Sequence, residues 1–167
     1  KTVQLIKRFP GQYKDLAIFK EREINILLKG AGAAEEPKTF DEAFGLAQEM
    51  VTKKTKAVKT AVSAAKAKGD KAEIEKASDI YLIHIDNSVN LLKTALRLAD
   101  ENTPVTDVNL ARYYLAYMYY LGKDKHYEGA ILAEFVAQNY AKDNPVQAQE
   151  AALMALALYS NAFNENQ

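Results

Sequence analysis

From Thr39 onward, apolar residues recur at steps of three, four or seven: Phe40, Phe44, Ala47, Val51, Val58, Val62 and Ala65. That period predicts one helix of about eight turns. Thr39-Phe-Asp-Glu42 reads as a capping box, in which the threonine hydroxyl accepts from the third backbone N–H and the glutamate reaches back. Gly69 is a stop, and Asp70-Lys-Ala-Glu73 is a second capping box that starts the next helix at once. Leu82, Ile85, Val89, Leu92, Leu96 and Ala99 then alternate steps of three and four. Two long helices joined at Lys68-Gly69-Asp70 should fold back as an antiparallel hairpin. Its distal end carries Ala57, Ala61, Ala64, Ala65 and Ala67 against Ala72 and Ala77, so it should project and bury little area.

The rest of the chain keeps the helical period, and no segment alternates as a strand would. Val3, Leu5, Ile6 and Phe9 before Pro10 read as the end of a helix, and a second helix is expected from about Tyr13 to Leu28. Beyond the break at Asp100–Pro104, Leu110, Tyr114, Tyr117 and Leu121 share one face, with Leu115 and Met118 beside it, and Gly122 ends that helix. His126 or Tyr127 to Tyr140 forms the next, with Ala130, Ala133 and Ala137 as small contact positions. Asn144-Pro145 supplies a cap and a first-turn proline for the last, which carries Ala148, Ala151-Ala152, Ala155, Leu158-Tyr159 and Ala162. The expected fold class is all-α, in a single domain over residues 1–167. Residues 1–38 hold a helix end plus one helix, 39–100 the long hairpin, and 101–167 a three-helix unit.

Composition narrows the chemistry. With 167 residues the chain can bury a full core, and the lack of cysteine removes disulfides and thiolate chemistry together. The 22 basic and 22 acidic residues balance, so the global charge that nucleic acid or an anionic membrane would select is missing. No apolar run approaches the ~18 residues of a membrane span. The chain opens Lys-Thr-Val-Gln, without an initiator methionine or a leader pattern, and is expected to be an excised piece of a longer protein or a mature chain.

Leu115-Ala116-x-x-Tyr119-Tyr120 recurs as Met154-Ala155-x-x-Leu158-Tyr159 at an offset of 39 residues, the mark of stacked helices that approach closely at one small residue. Together with Gly122, Tyr127-Glu-Gly-Ala130, Tyr140 and Pro145, this stretch resembles a tetratricopeptide repeat. Phe9-Pro10 resembles the ending of such repeats in bacterial cell-envelope proteins. The resemblance implies an α-α superhelix segment, a TPR-like scaffold that binds a protein, a peptide or other segments of its parent chain, without catalysis or a cofactor. It also implies a bacterial envelope setting, while the residues themselves leave the compartment open.

Within this frame Arg112, Tyr113 and Tyr119 are the candidate partner-binding residues. They lie outside the Leu110-Tyr114-Tyr117-Leu121 stripe, and arginine and tyrosine dominate binding energy when desolvated. Aromatic residues at helical spacing are more often core, and among the tyrosines at 113, 114, 117, 119 and 120 the structural reading makes Tyr114, Tyr117 and Tyr120 wedges between stacked helices. The lysines from Lys53 to Lys71 make the hairpin tip basic, as helix-dipole matching alone would. His84 and His126 each lack a second ligand at a turn's spacing, so no metal site is expected. Two alternatives stand beside the scaffold: a purely structural or oligomerisation domain, and an enzyme or small-ligand binder with a pocket lined by Tyr113, Tyr119 and His84. A shifted pKa at His84 would favour the enzyme.

Overall fold

The computed structural model describes residues 36–122 and 124–165, and all the helices among them belong to one compact unit that starts at Pro37. The expected helices before Pro37, including Lys1–Pro10 and Tyr13–Leu28, lie outside the described residues. Six helical segments follow: α1 (Phe40–Glu49), α2 (Thr55–Lys68), α3 (Lys71–Leu98), α4 (Val105–Leu121), α5 (His126–Asn139) and α6 (Pro145–Glu165). No strand occurs among the described residues.

Local chemistry sets each boundary. Thr39 is extended and its Oγ1 accepts from the Glu42 N–H at 3.2 Å. The Glu42 carboxylate accepts instead from the Lys38 N–H at 2.8 Å, one residue earlier than a closed capping box requires. Gly69 takes the left-handed conformation (φ 75°) that ends α2, and Asp70 Oδ1 accepts from the Ala72 and Glu73 N–H groups to start α3. The second box also stays open, because Glu73 reaches the Lys68 ammonium at 3.0 Å. Pro104 sits one position before α4, and its carbonyl accepts from Asp107 and Val108. Asn144 Oδ1 caps α6 through the Gln147 N–H at 3.1 Å, as expected.

One feature has no counterpart in the period. Between α1 and α2 the rod widens into a π-helical turn over Met50–Lys54, with the Thr55 N–H donating to the Met50 carbonyl. The turn brings Thr55 inside, where its Oγ1 lies 2.9 Å from His84 Nε2 on α3 and 3.3 Å from the Met50 carbonyl. One hydroxyl proton cannot serve both contacts, so when it goes to the carbonyl the imidazole N–H donates to Thr55.

The two larger of three core clusters among the described residues share α4. Phe40, Phe44 and Val51 meet Ile85, Val89 and Leu92 of α3 and Ala111, Leu115 and Met118 of α4. On the other side Ala116 joins Ala130, Ala133, Met154, Ala155 and Leu158 of α5 and α6. The expected stripe of α4 is therefore corrected. Leu110, Tyr114, Tyr117 and Leu121 are only half-buried, while Ala111, Leu115, Ala116, Met118 and Tyr119 are inside. A helix with partners on two sides has no single buried face for a period to find. At the hairpin tip, Ala57, Ala61, Ala64 and Ala67 are exposed, and only Thr55 and Ala65 of α2 are buried.

Candidate interaction surface

The three candidate residues sit on α4, and the neighbours of that helix decide what each can do. Tyr119 is 7 % exposed and belongs to the core beside α3, so its place on a partner surface is corrected. The reason lies across the helix pair. A Cβ on Gly129 would stand 2.9 Å from the Tyr119 Cβ and 3.2 Å from Leu158 Cδ1, so the α5 backbone closes directly over Tyr119. Only glycine permits that approach.

Arg112 and Tyr113 are half-buried rather than free. The Arg112 guanidinium donates to the buried Asn109 Oδ1 at 2.8 Å and lies 4.9 Å above the centre of the Phe135 ring on α5. The Tyr113 hydroxyl donates to Glu150 Oε2 on α6 at 2.7 Å. Burial, then the Glu150 carboxylate, pushes the Tyr113 phenol well above its ordinary value. Both residues act as ties from α4 to its neighbours.

The same use of tyrosine recurs through the fold. The Tyr81 hydroxyl on α3 donates to the Leu121 carbonyl at 3.0 Å and closes the C-terminal end of α4. Tyr159 on α6 donates to Glu134 on α5 at 2.6 Å. Burial first raises Tyr81, and the Glu134 hydrogen bond first raises Tyr159. These phenols keep their protons and serve as donors across helix pairs.

The pocket residues of the alternative reading are not brought together. His84 is bonded to Thr55 of α2, Tyr113 to Glu150 of α6, and Tyr119 fills the core beside α3. The pKa of His84 is indeed lowered, by burial first and then by the Lys54 charge. The causes are burial and a neighbouring lysine's charge, and no group of three metal-ligating side chains occurs among the described residues. His126, one of the two starts the sequence offers for this helix, is buried as the first residue of α5, after Lys125 in the left-handed region (φ 62°).

Most of the large exposed apolar side chains lie on other helices. On α5, Tyr127, Ile131 and Phe135 form a row at steps of four. On α6, Val146, Leu153, Leu156 and Phe163 point outward, away from the buried Ala148, Ala151, Ala155, Leu158 and Ala162. Both rows were open to detection as second apolar periods. The alanines occupy the complementary face, and small residues at regular spacing draw attention from the side chains between them.

The fold and surface together define an all-helical domain: a long hairpin joined through a shared helix to a three-helix unit. No helix among the described residues is long and apolar enough to cross a membrane. Comparison with protein-family models, with curated proteins and with solved structures found no match for the chain.

Proposed function

We propose that the chain is a non-catalytic, repeat-like scaffold, similar to a tetratricopeptide array, whose three-helix unit binds a segment of a protein partner. The row Tyr127, Ile131 and Phe135 carries this reading, because it leaves three large apolar side chains on one open face of α5. Such a row at helical spacing is the usual complement of an apolar peptide face. Glu128 and Glu134 are the carboxylates of this helix, and Arg112 folds over the far end of the row. The fitting partner is therefore a segment with apolar side chains and basic residues toward the Glu128 end. Two features support the repeat-like arrangement: Ala116 and Ala155, related by the 39-residue offset, lie in one cluster, and Gly129 marks a close helix approach.

A photo-crosslinking side chain placed at Ile131 in the source cell tests the proposal, with the same probe at Lys59 on the hairpin tip as comparison. A discrete protein adduct from position 131 that Glu128→Lys weakens is the expected result. Adducts from position 59 alone, or none from 131, would overturn it.

A further inference from the structure

The outer face of α6 has a pattern that names its own partner. Positions 146, 149, 153, 156, 160 and 163 are spaced by alternating threes and fours, the 3.5-residue repeat of a helix-pairing seam. They read Val146, Gln149, Leu153, Leu156, Ser160 and Phe163: apolar, polar, apolar, apolar, polar, apolar. The order is the same from either end. We infer that the chain pairs with a second copy of itself through this face, the two α6 helices antiparallel about a two-fold axis between Leu153 and Leu156.

That axis sets Val146 against Phe163, Gln149 against Ser160 and Leu153 against Leu156, so apolar meets apolar and polar meets polar. A parallel pairing would leave each residue facing itself, with Gln149 on Gln149 and Phe163 on Phe163. Charge agrees with the antiparallel choice. No lysine or arginine occurs after Lys142, and Glu150 falls at the height of Tyr159 rather than of its own copy. A face without cations cannot use the anionic headgroups that hold an amphipathic helix on a membrane surface, and the antiparallel order keeps the two Glu150 carboxylates apart.

Exposure and area are sufficient. Val146, Leu153, Leu156 and Phe163 are 63 to 68 % exposed. Two such faces, with their flanking alanines, would cover about 1,000 Å², the lower end for a specific interface. Association at micromolar concentration is the corresponding strength. The pairing is independent of the partner row on α5, which lies on another helix.

Sedimentation equilibrium of the full chain should give twice the 18.6 kDa chain mass at tens of micromolar, falling to the single mass on dilution. Leu153→Glu with Leu156→Glu sets four carboxylates around the axis and should abolish the dimer at every concentration while leaving the circular dichroism spectrum unchanged. Orientation is read separately, since the chain has no thiol of its own. Mixing Val146→Cys with Phe163→Cys under mild oxidation should give the mixed disulfide. Val146→Cys alone should not cross-link, because the two copies of that position would lie about 25 Å apart. A chain that stays monomeric at every concentration, a dimer that survives the double glutamate variant, or efficient Val146→Cys self-cross-linking would each overturn the inference. If the glutamate variant unfolds, the cysteine pair still decides.

Discussion

The hairpin tip and the three-helix unit are both rich in alanine, yet they treat it in opposite ways. Ala57, Ala61, Ala64 and Ala67 of α2 face solvent, whereas Ala148, Ala151, Ala155 and Ala162 of α6 are buried. The residue is the same and the number of neighbours differs. In the tip, α2 packs on α3 among the described helices and buries a narrow stripe. In the unit, α4, α5 and α6 close around one another, and a small side chain is what lets three backbones approach. Alanine at helical spacing therefore marks close contacts mainly where two further helices meet it; against a single neighbour it chiefly supports helix formation.

The sharpest way to break this comparison is to remove apolar volume in both places. Leu92→Ala, at a fully buried site between α1, α3 and α4, should cost about 2–5 kcal/mol in denaturant melts. Val58→Ala, half-buried on α2, should cost under ~1.5 kcal/mol. The reverse order would mean that the tip is packed against something else. Adding volume is the complementary test. Ala116→Leu should overpack the junction and destabilise by ~1–3 kcal/mol, while Ala61→Leu on the exposed side of α2 should stay within ~0.5 kcal/mol. Equal melting temperatures for these two would remove the distinction between the regions.

A third measurement addresses the boundary between them. Folding lowers the pKa of His84, so the unfolded chain binds the proton more readily. Its contribution is present above the ordinary histidine value of about 6.5 and is lost as pH falls through the lower folded value. The melting temperature should therefore drop on acidification below about 6.5, and His84→Gln should flatten that part of the pH profile. An unchanged profile would show that the Thr55–His84 contact does not couple the rod to α3. The smallest effect belongs to the tip itself. The Lys68–Glu73 pair is exposed at 3.0 Å, so Glu73→Gln should change stability by under ~1 kcal/mol, and by less still at high salt.

The helices that begin and end on local chemistry were legible in the sequence. Thr39, Gly69, Asp70 and Asn144 each act through atoms within a few residues, and a one-dimensional reading sees all their partners. The hairpin was legible for the same reason, since Gly69 reverses a chain already patterned on both sides. Three features were not. The π turn at Met50–Lys54 answers to His84, which lies 29 residues further along and binds Thr55. Tyr119 is covered because Gly129, on another helix, lacks a side chain. Arg112 and Tyr113 found Phe135 and Glu150, partners that only the packing of three helices brings near. Of the three candidate residues on α4, Tyr119 is buried and Arg112 and Tyr113 are engaged with neighbouring helices, while the exposed apolar rows stand on α5 and α6.

The wide turn also governs where the tip's lysines point. Each residue of an α-helix advances the face by about 100°, and a π step accommodates one more residue before the ladder resumes. The stripe that leaves Met50–Lys54 is thus out of phase with the stripe that enters by about that angle. Deleting a single residue there would shorten the rod by only about 1.5 Å, yet it would swing Lys56, Lys59, Lys66 and Lys68 by about a quarter of a revolution about its axis. The bearing of the basic tip is set by one backbone hydrogen-bond step, at a distance from every charge it aims.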